Sequence, residues 1–139
     1  MGKVNVAAKM ESLRDLYEAD LERLPIDRVR KVEVEQALVD TGATSLSMPR
    51  SLIDQLGLKA IREKKARTSA GPVVVQIFES VRLTIQDRDC NVDVTELPED
   101  CPVLIGQIPL ELLDFAVDPI NHRLIGNPDH GGEHIIELY

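Results

Sequence analysis

Nowhere in the 139 residues does an apolar run approach the roughly 18 residues that a membrane-spanning helix needs. The opening Met1-Gly2-Lys3-Val4-Asn5-Val6 has no apolar core of a secretion signal, so cytoplasmic residence away from membranes is the expectation. Cysteine is scarce: Cys90 and Cys101, with ten residues between them and no CxxC spacing, read as two reduced thiols. Positive charge is in deficit, with 16 Lys and Arg against 24 Asp and Glu and a net charge of −8, which argues against a nucleic-acid-binding surface. Internal repeats and low-complexity segments are absent. What remains is one domain over residues 1–139, of a size that buries about two-thirds of its unfolded surface and requires no metal or disulfide to fold. No cofactor is expected.

Hydrophobic periodicity sets out the elements. Val4, Val6 and Ala8 alternate with polar neighbours as in a half-buried strand. The period then changes over residues 11–25, where Leu13, Leu16, Tyr17, Leu21 and Leu24 follow helical spacing, Ser12 with Asp15 has the form of a capping box, and Pro25 marks the stop. This helical insertion is expected to cover one end of the barrel, packing its apolar stripe on the chain's own core; the alternative is a docking face. Val32 and Val34 lead into the continuous Ala37-Leu38-Val39 run of a strand that becomes buried. Pro49 opens a short helix with Leu52, Ile53 and Leu56 on its apolar face and Gly57 as its C-terminal cap. Three further strands are expected at 73–78, 81–85 and 91–94, a short helix at 109–113, and a pair of strands at 115–117 and 123–125 around a turn at Asp118-Pro119-Ile120-Asn121. The fold class is therefore all-β with short helices, a barrel or sandwich of many short strands.

The buried strand delivers one acidic residue into a tight polar turn, Asp40-Thr41-Gly42-Ala43-Thr44-Ser45. Further on stands Pro102-Val103-Leu104-Ile105-Gly106, an apolar run ending in glycine ahead of a short helix. Together, from about Val32 to Val117, these features resemble the retropepsin-like aspartic proteases, in which an Asp-Thr-Gly turn follows an apolar strand and an apolar pair plus Gly forms the second signature. The resemblance implies an acid-protease barrel with one lobe per chain, completed as a C2 homodimer.

The resemblance also assigns roles. Asp40 becomes the catalytic carboxylate, Gly42 lets its backbone amide approach that carboxylate, and Thr41 braces the pair of turns across the two-fold axis. Ala43 and Thr44 flank the substrate, with the Thr44 hydroxyl near the carboxylate; in the bland alternative it is an ordinary turn hydroxyl. Leu104, Ile105 and Gly106 belong to a strand that crosses beneath the active-site turns and packs against them, forming the floor and part of the substrate-binding walls, and Gly106 permits packing that a Cβ would block. A flap is expected with its tip at 67–73, placing Ser69, Ala70 and Gly71 over a peptide. That segment has a single glycine and no aromatic residue, which departs from both the glycine-rich viral flap and the tyrosine-bearing pepsin flap.

Peptide hydrolysis without a covalent intermediate needs a base to activate water and an acid to protonate the carbonyl oxygen and then the leaving amine. Two carboxylates sharing one proton supply both. Only one Asp-Thr-Gly occurs, so a second copy of the chain has to supply the partner, and residues 134–139 are the expected contributor to the dimer interface as a strand. The resulting expectation is an aspartic endopeptidase acting on an extended peptide or protein substrate, with no nucleic-acid or membrane partner. The alternative is a catalytically silent dimeric binding module on the same fold. His130-Gly131-Gly132-Glu133-His134 matches an inverted zinc-peptidase spacing, but that motif works on a helix, and Pro128 with two glycines opposes one.

Overall fold

The computed structural model describes residues 3–139. Period-two alternation turns Val4, Val6, Ala8, Met10 and Ser12 inward along β1 (Val4–Ser12), and α1 (Leu13–Asp20) leads from it towards β2 (Lys31–Val39). Beyond Asp40 follow β3 (Leu46–Pro49), α2 (Arg50–Gln55), the long hairpin β4 (Ala60–Thr68) and β5 (Gly71–Ile85), and then β6 (Arg88–Leu97). A short β7 (Leu104–Ile105), α3 (Gln107–Leu112) and a small hairpin, β8 (Phe115–Asp118) with β9 (Arg123–Gly126), complete the order.

Seven strands form one sheet in the order β1-β2-β7-β3-β6-β5-β4, and β1 also pairs with β5 from Lys9↔Thr84 to Ser12↔Val81. The sheet thereby closes into a ring of six strands with β4 attached outside it. Closure removes the exposed edges of those six strands and leaves β4 as the open edge of the sheet. Inside lie Met10, Leu46, Met48, Phe78, Leu83 and Ile105, with Ile53 of α2 and Leu56 at its C-terminal cap packed against them. Among the described residues no helix is long and apolar enough to cross a membrane. Cys90 and Cys101 are free thiols, and burial pushes Cys90 up to about 11, so it stays protonated at neutral pH.

Several elements differ from the periodicity reading. The strands expected at 73–78 and 81–85 are one strand, β5, with an irregularity between Phe78 and Val81. Its interrupting polar pair is satisfied in place: Glu79 accepts from the Lys59 amide at 2.9 Å and from Arg14 Nε at 2.9 Å, and Ser80 donates to Asp93 at 2.6 Å. The strand therefore continues through Glu79 and Ser80. β4 escapes a periodicity reading because, Ala66 apart, its residues are exposed and four of them are cations. β3 is only four residues long, and Ser47 is buried with the rest.

The 11–25 insertion is shorter than its pattern implies and does not pack as expected. α1 ends at Asp20, and Pro25 caps a 3-10 turn at Ile26–Arg28. Tyr17 and Leu21 are 55% and 57% exposed, and the one buried residue of the helix is Asp15. Polar contacts hold it down instead. Ser12 accepts from the Asp15 amide at 3.2 Å, but Asp15 does not complete the capping box. Its carboxylate takes a two-pronged contact from the Arg30 guanidinium at 2.8 and 3.0 Å and a third bond from the Arg30 amide, and these hold its pKa below the usual carboxylate value. Arg30 in turn lies over Gly57, which has a φ of +65° and no room for a side chain: a Cβ there would stand 1.8 Å from the guanidinium.

Residues 134–139, expected as a strand, have no regular secondary structure in the single chain, and Ile136, Leu138 and Tyr139 are exposed. The tail leading to them is nevertheless fastened. Buried Asp114 accepts from Asn127 Nδ2 at 3.0 Å, His130 Nδ1 at 2.6 Å and the Ile135 amide at 3.1 Å. The other His130 nitrogen meets Glu137 at 2.7 Å, while Arg88 donates to the Leu113, Asp114 and Gly132 carbonyls. Carboxylates only accept, so this geometry calls for both ring protons. The bond to Asp114 foremost, then that to Glu137, raises the His130 pKa, and Asn127 foremost, then His130, lowers that of Asp114.

The tail anchor therefore has a defined pH window. The His130 contribution is complete below the ordinary imidazole pKa of about 6.5 and is lost as pH rises through the raised value. The Asp114 contribution is present above the ordinary carboxylate range and fades as pH falls through its lowered value. In an NMR titration the His130 ring should show a midpoint above 6.5 that drops in Glu137→Gln, with the Ile135 amide losing protection over the same pH range. A midpoint at or below 6.5 in the wild type would disprove the anchor.

Candidate active site

β2 ends at Val39, and its last residues pair in parallel with β7, Leu38↔Leu104 and Val39↔Ile105. The Leu38 amide donates to the Val103 carbonyl at 2.8 Å and the Asp40 amide to the Ile105 carbonyl at 3.0 Å. Asp40 is thus placed at the point where the strand leaves the sheet. The chain then reverses, with the Ala43 amide donating to the Asp40 carbonyl at 3.1 Å and the Gly42 amide to Asp40 Oδ1 at 2.9 Å. The second of these bonds orients the carboxylate from within its own turn. Asp40 is half-exposed, Thr41 and Gly42 are exposed, and no Lys, Arg or His among the described residues forms a salt bridge with Asp40.

The far side of the turn is fastened by α3. The Gly106, Gln107 and Ile108 amides donate to the carbonyls of Ser45, Ala43 and Thr44 at 3.0, 2.9 and 3.0 Å. Three successive donors at the start of a helix, where no carbonyl of the helix itself is available to them, are satisfied by the active-site turn. Gly106 makes this approach possible, because a Cβ on it would lie 2.6 Å from the Thr44 carbonyl carbon and 2.7 Å from Ser45 N and O. Ser45 is also joined to β6 through the Thr95 hydroxyl at 3.1 Å.

The strand packs beneath the turn as expected, Gly106 included, while burial removes two of its residues from the substrate walls. Ile105 is fully enclosed in the core, and the open side of Gly106 is filled by Thr44 and Ser45 backbone, so both support the turn from beneath and neither offers surface to a peptide. Leu104 is half-buried. Ala43 is half-buried and Thr44 exposed beside the turn, and no hydrogen bond joins the Thr44 hydroxyl to Asp40 in the single chain.

Arg67–Val73 is the tip of the β4–β5 hairpin, paired without a break from Arg62↔Ile77 to Thr68↔Gly71. The Thr68 hydroxyl closes the tip, donating to the Gly71 carbonyl at 2.9 Å and accepting from the Ala70 amide at 3.1 Å. Ser69 and Ala70 are exposed and Gly71 is half-buried. β4 is the part of this hairpin that the sequence reading missed; the polar turn Thr68-Ser69-Ala70-Gly71 followed by an apolar run was the available signal.

His130 and His134 stand apart from this region. Pro128–His130 is a 3-10 turn ended by Gly131, and the two imidazoles go to separate partners, His130 to Asp114 and Glu137, His134 to the Leu112 carbonyl at 3.0 Å. Two surface grooves of about 470 and 420 Å³, one lined by Leu52, Cys101 and Val103 and the other by Ala7 and Lys9, both lie away from Asp40. A single chain presents its candidate carboxylate on a turn, facing outward.

Comparison with curated proteins found no match. The aspartyl protease family model matches residues 28–108, from before β2 to the first turn of α3, and so takes in the Asp40 turn, the whole hairpin and β7. With more than half the chain matched and the turn, supporting strand and hairpin in one ring-shaped sheet, the chain belongs to the aspartyl protease family, of retropepsin-like type.

Proposed function

We propose that the chain is an aspartic endopeptidase whose active site forms between two copies related by a two-fold axis. The observation that carries this reading is the Gly42 amide bonded to Asp40 Oδ1 at 2.9 Å, in a turn held from below by the Ile105 carbonyl. A carboxylate oriented in this way, half-exposed and unpaired by any cation among the described residues, is disposed to meet its symmetry mate. In the dimer one Asp40 is ionised and the other protonated. The ionised one takes a proton from water as its oxygen attacks the peptide carbonyl carbon, and the protonated one gives its proton to the carbonyl oxygen. Collapse of the tetrahedral intermediate breaks the C–N bond as the amine takes the proton that the first Asp40 received from water and the hydroxyl formed from the carbonyl returns its proton to the second, leaving a carboxylic acid, an amine and one shared proton.

In this proposal Thr41 braces the two turns across the axis, Thr44 and Ala43 border the cleft, Leu104 contributes to its wall, and the β4–β5 hairpin closes over an extended peptide with Ser69, Ala70 and Gly71 at its tip. The exposed Ile136, Leu138 and Tyr139 of the 134–139 tail are the apolar surface available to an intersubunit contact. The substrate backbone adds as a strand between hairpin and cleft, with apolar side chains preferred beside the cut.

The reading is tested by incubating a diverse peptide pool with the wild type and with Asp40→Asn between about pH 3.5 and 7, the range a shared-proton pair serves. Cuts by the wild type alone are expected. Identical cuts from both proteins would disprove the role of Asp40. No cuts, from protein shown to be folded and dimeric, would favour the silent binding module.

A further inference from the structure

The β4–β5 hairpin has the opposite sign of charge to the chain that carries it. Over Ala60–Thr68 stand Arg62, Lys64, Lys65 and Arg67 against the single carboxylate of Glu63, while the whole chain has a net charge of −8. Glu63 is occupied by Gln76 at 2.8 Å, and Arg62 is paired with Asp93 at 2.8 Å. Lys64, Lys65 and Arg67 form no salt bridge among the described residues.

Strand register sorts these three cations onto two faces. Side chains alternate along a strand, and directly paired residues share a face. Ile77 pairs with Thr95, whose hydroxyl meets Ser45 beside the Asp40 turn at 3.1 Å, while the adjacent Phe78 is turned into the core; the Ile77 face is therefore the inner, turn-facing one, and stepping by two along β5 from it puts Val75 and Val73 on that face. Their partners across the hairpin are Lys64 for Val75 and Ala66 for Val73. Lys65 and Arg67, paired with Val74 and Pro72, belong to the outer face. The inner face therefore carries Ile77, Val75, Val73 and Ala66, with Thr68 at the tip, Arg62 held by Asp93 at the base and Lys64 as its one cation without a salt bridge among the described residues.

We propose that Lys64 is a specificity-determining residue that selects an acidic side chain in the substrate. This rests on the proteolytic reading above, in which the hairpin closes over the peptide: Val73, Val75 and Ala66 cover apolar side chains, and the Lys64 ammonium meets a carboxylate a few residues from the cut. Closure excludes water from the contact, which strengthens it beyond an exposed ion pair. The remaining cations of the hairpin attract the same acidic segment from a distance, an effect that salt screens within about 10 Å at 0.1 M.

The test uses matched peptide sets carrying Glu or Gln at each position on either side of the scissile bond, cleaved by the wild type, Lys64→Gln, Lys64→Glu and the outer-face control Lys65→Gln. The wild type should favour Glu at one position by about five-fold in kcat/KM, a ratio of the size that a partly shielded ion pair gives. The ratio should fall to about one in Lys64→Gln, invert in Lys64→Glu and persist in Lys65→Gln. An unchanged ratio in Lys64→Gln, or an equal loss in Lys65→Gln, would overturn the assignment. So would weaker dimer association in Lys64→Glu with the Glu preference intact, which would place Lys64 at the subunit contact. If the wild type cleaves none of the peptides, the proteolytic reading fails on its own, and fluorescence anisotropy with the same labelled peptides decides Lys64. Tighter binding of the Glu peptide that disappears in Lys64→Gln would uphold its role, and equal binding would overturn it.

Discussion

Asp40→Asn should lower peptide cleavage by about 10⁴-fold or more, the scale seen when a central catalytic group is removed, while shifting fold stability by no more than about 0.5 kcal/mol. The amide side chain keeps an oxygen where Asp40 Oδ1 accepts from the Gly42 amide at 2.9 Å, so the local bond survives. No ion pair is lost, because Asp40 forms none among the described residues. What disappears is proton transfer, and in a two-fold dimer one substitution removes it twice, because neither amide can accept a proton from water or give one to the carbonyl oxygen. Association should persist, since two facing amides bring no charge together and can hydrogen-bond where a carboxylate and a carboxylic acid shared one proton. Cleavage kinetics, a urea midpoint and sedimentation measure the three expectations separately. Retained cleavage would remove Asp40 from the chemistry; a collapsed fold would show that its carboxylate charge is structural.

Gly106→Ala should destabilise the molecule by about 3 kcal/mol. The added carbon would stand 2.6 Å from Thr44 C and 2.7 Å from Ser45 N and O, all backbone, so no rotamer change relieves it. Relief requires moving residues 43–45 away from α3, which breaks the bonds that the Gly106, Gln107 and Ile108 amides make to them. Those residues continue directly from the Asp40 turn, so activity should fall with stability even though Gly106 touches no substrate. Gly42→Ala is the contrasting control, because its Cβ would meet only Asp40 Oδ1, at 3.3 Å. A loss below about 1 kcal/mol for Gly106→Ala would mean that the turn yields more easily than its hydrogen bonds imply.

The parts of this account legible in the sequence are those written in local chemistry. The Asp40 turn announces itself because a buried apolar strand cannot end on Asp-Thr-Gly without placing the carboxylate at its tip. Gly57 follows from the positive φ of a helix C-terminal cap, and Ser12 from the unsatisfied amides at a helix start. The parts missed depend on partners distant in sequence. β4 is stabilised by β5 across a hairpin and carries no apolar face of its own for a periodicity reading to detect. Asp15 has the position of a capping residue, but Arg30 claims it, and with the helix fastened by polar bonds Tyr17 and Leu21 of its apolar stripe stay exposed. Ile105 was assigned to the substrate wall because apolar residues line both clefts and cores, and only the three-dimensional packing separates the two. The tail anchor of Asp114, His130 and Glu137 unites groups up to 23 positions apart, a juxtaposition no local pattern encodes.

The central claim is that one active site takes one Asp40 from each of two chains, and subunit mixing tests it most directly. Wild type and Asp40→Asn are combined at constant total concentration, and cleavage is measured after subunit exchange is complete. If both carboxylates are required, activity falls as the square of the wild-type fraction, to about one quarter at an equal mixture, because only the wild-type homodimer is competent. A linear fall, to about one half, would mean that each Asp40 acts independently of a partner, and the shared site would have to be abandoned.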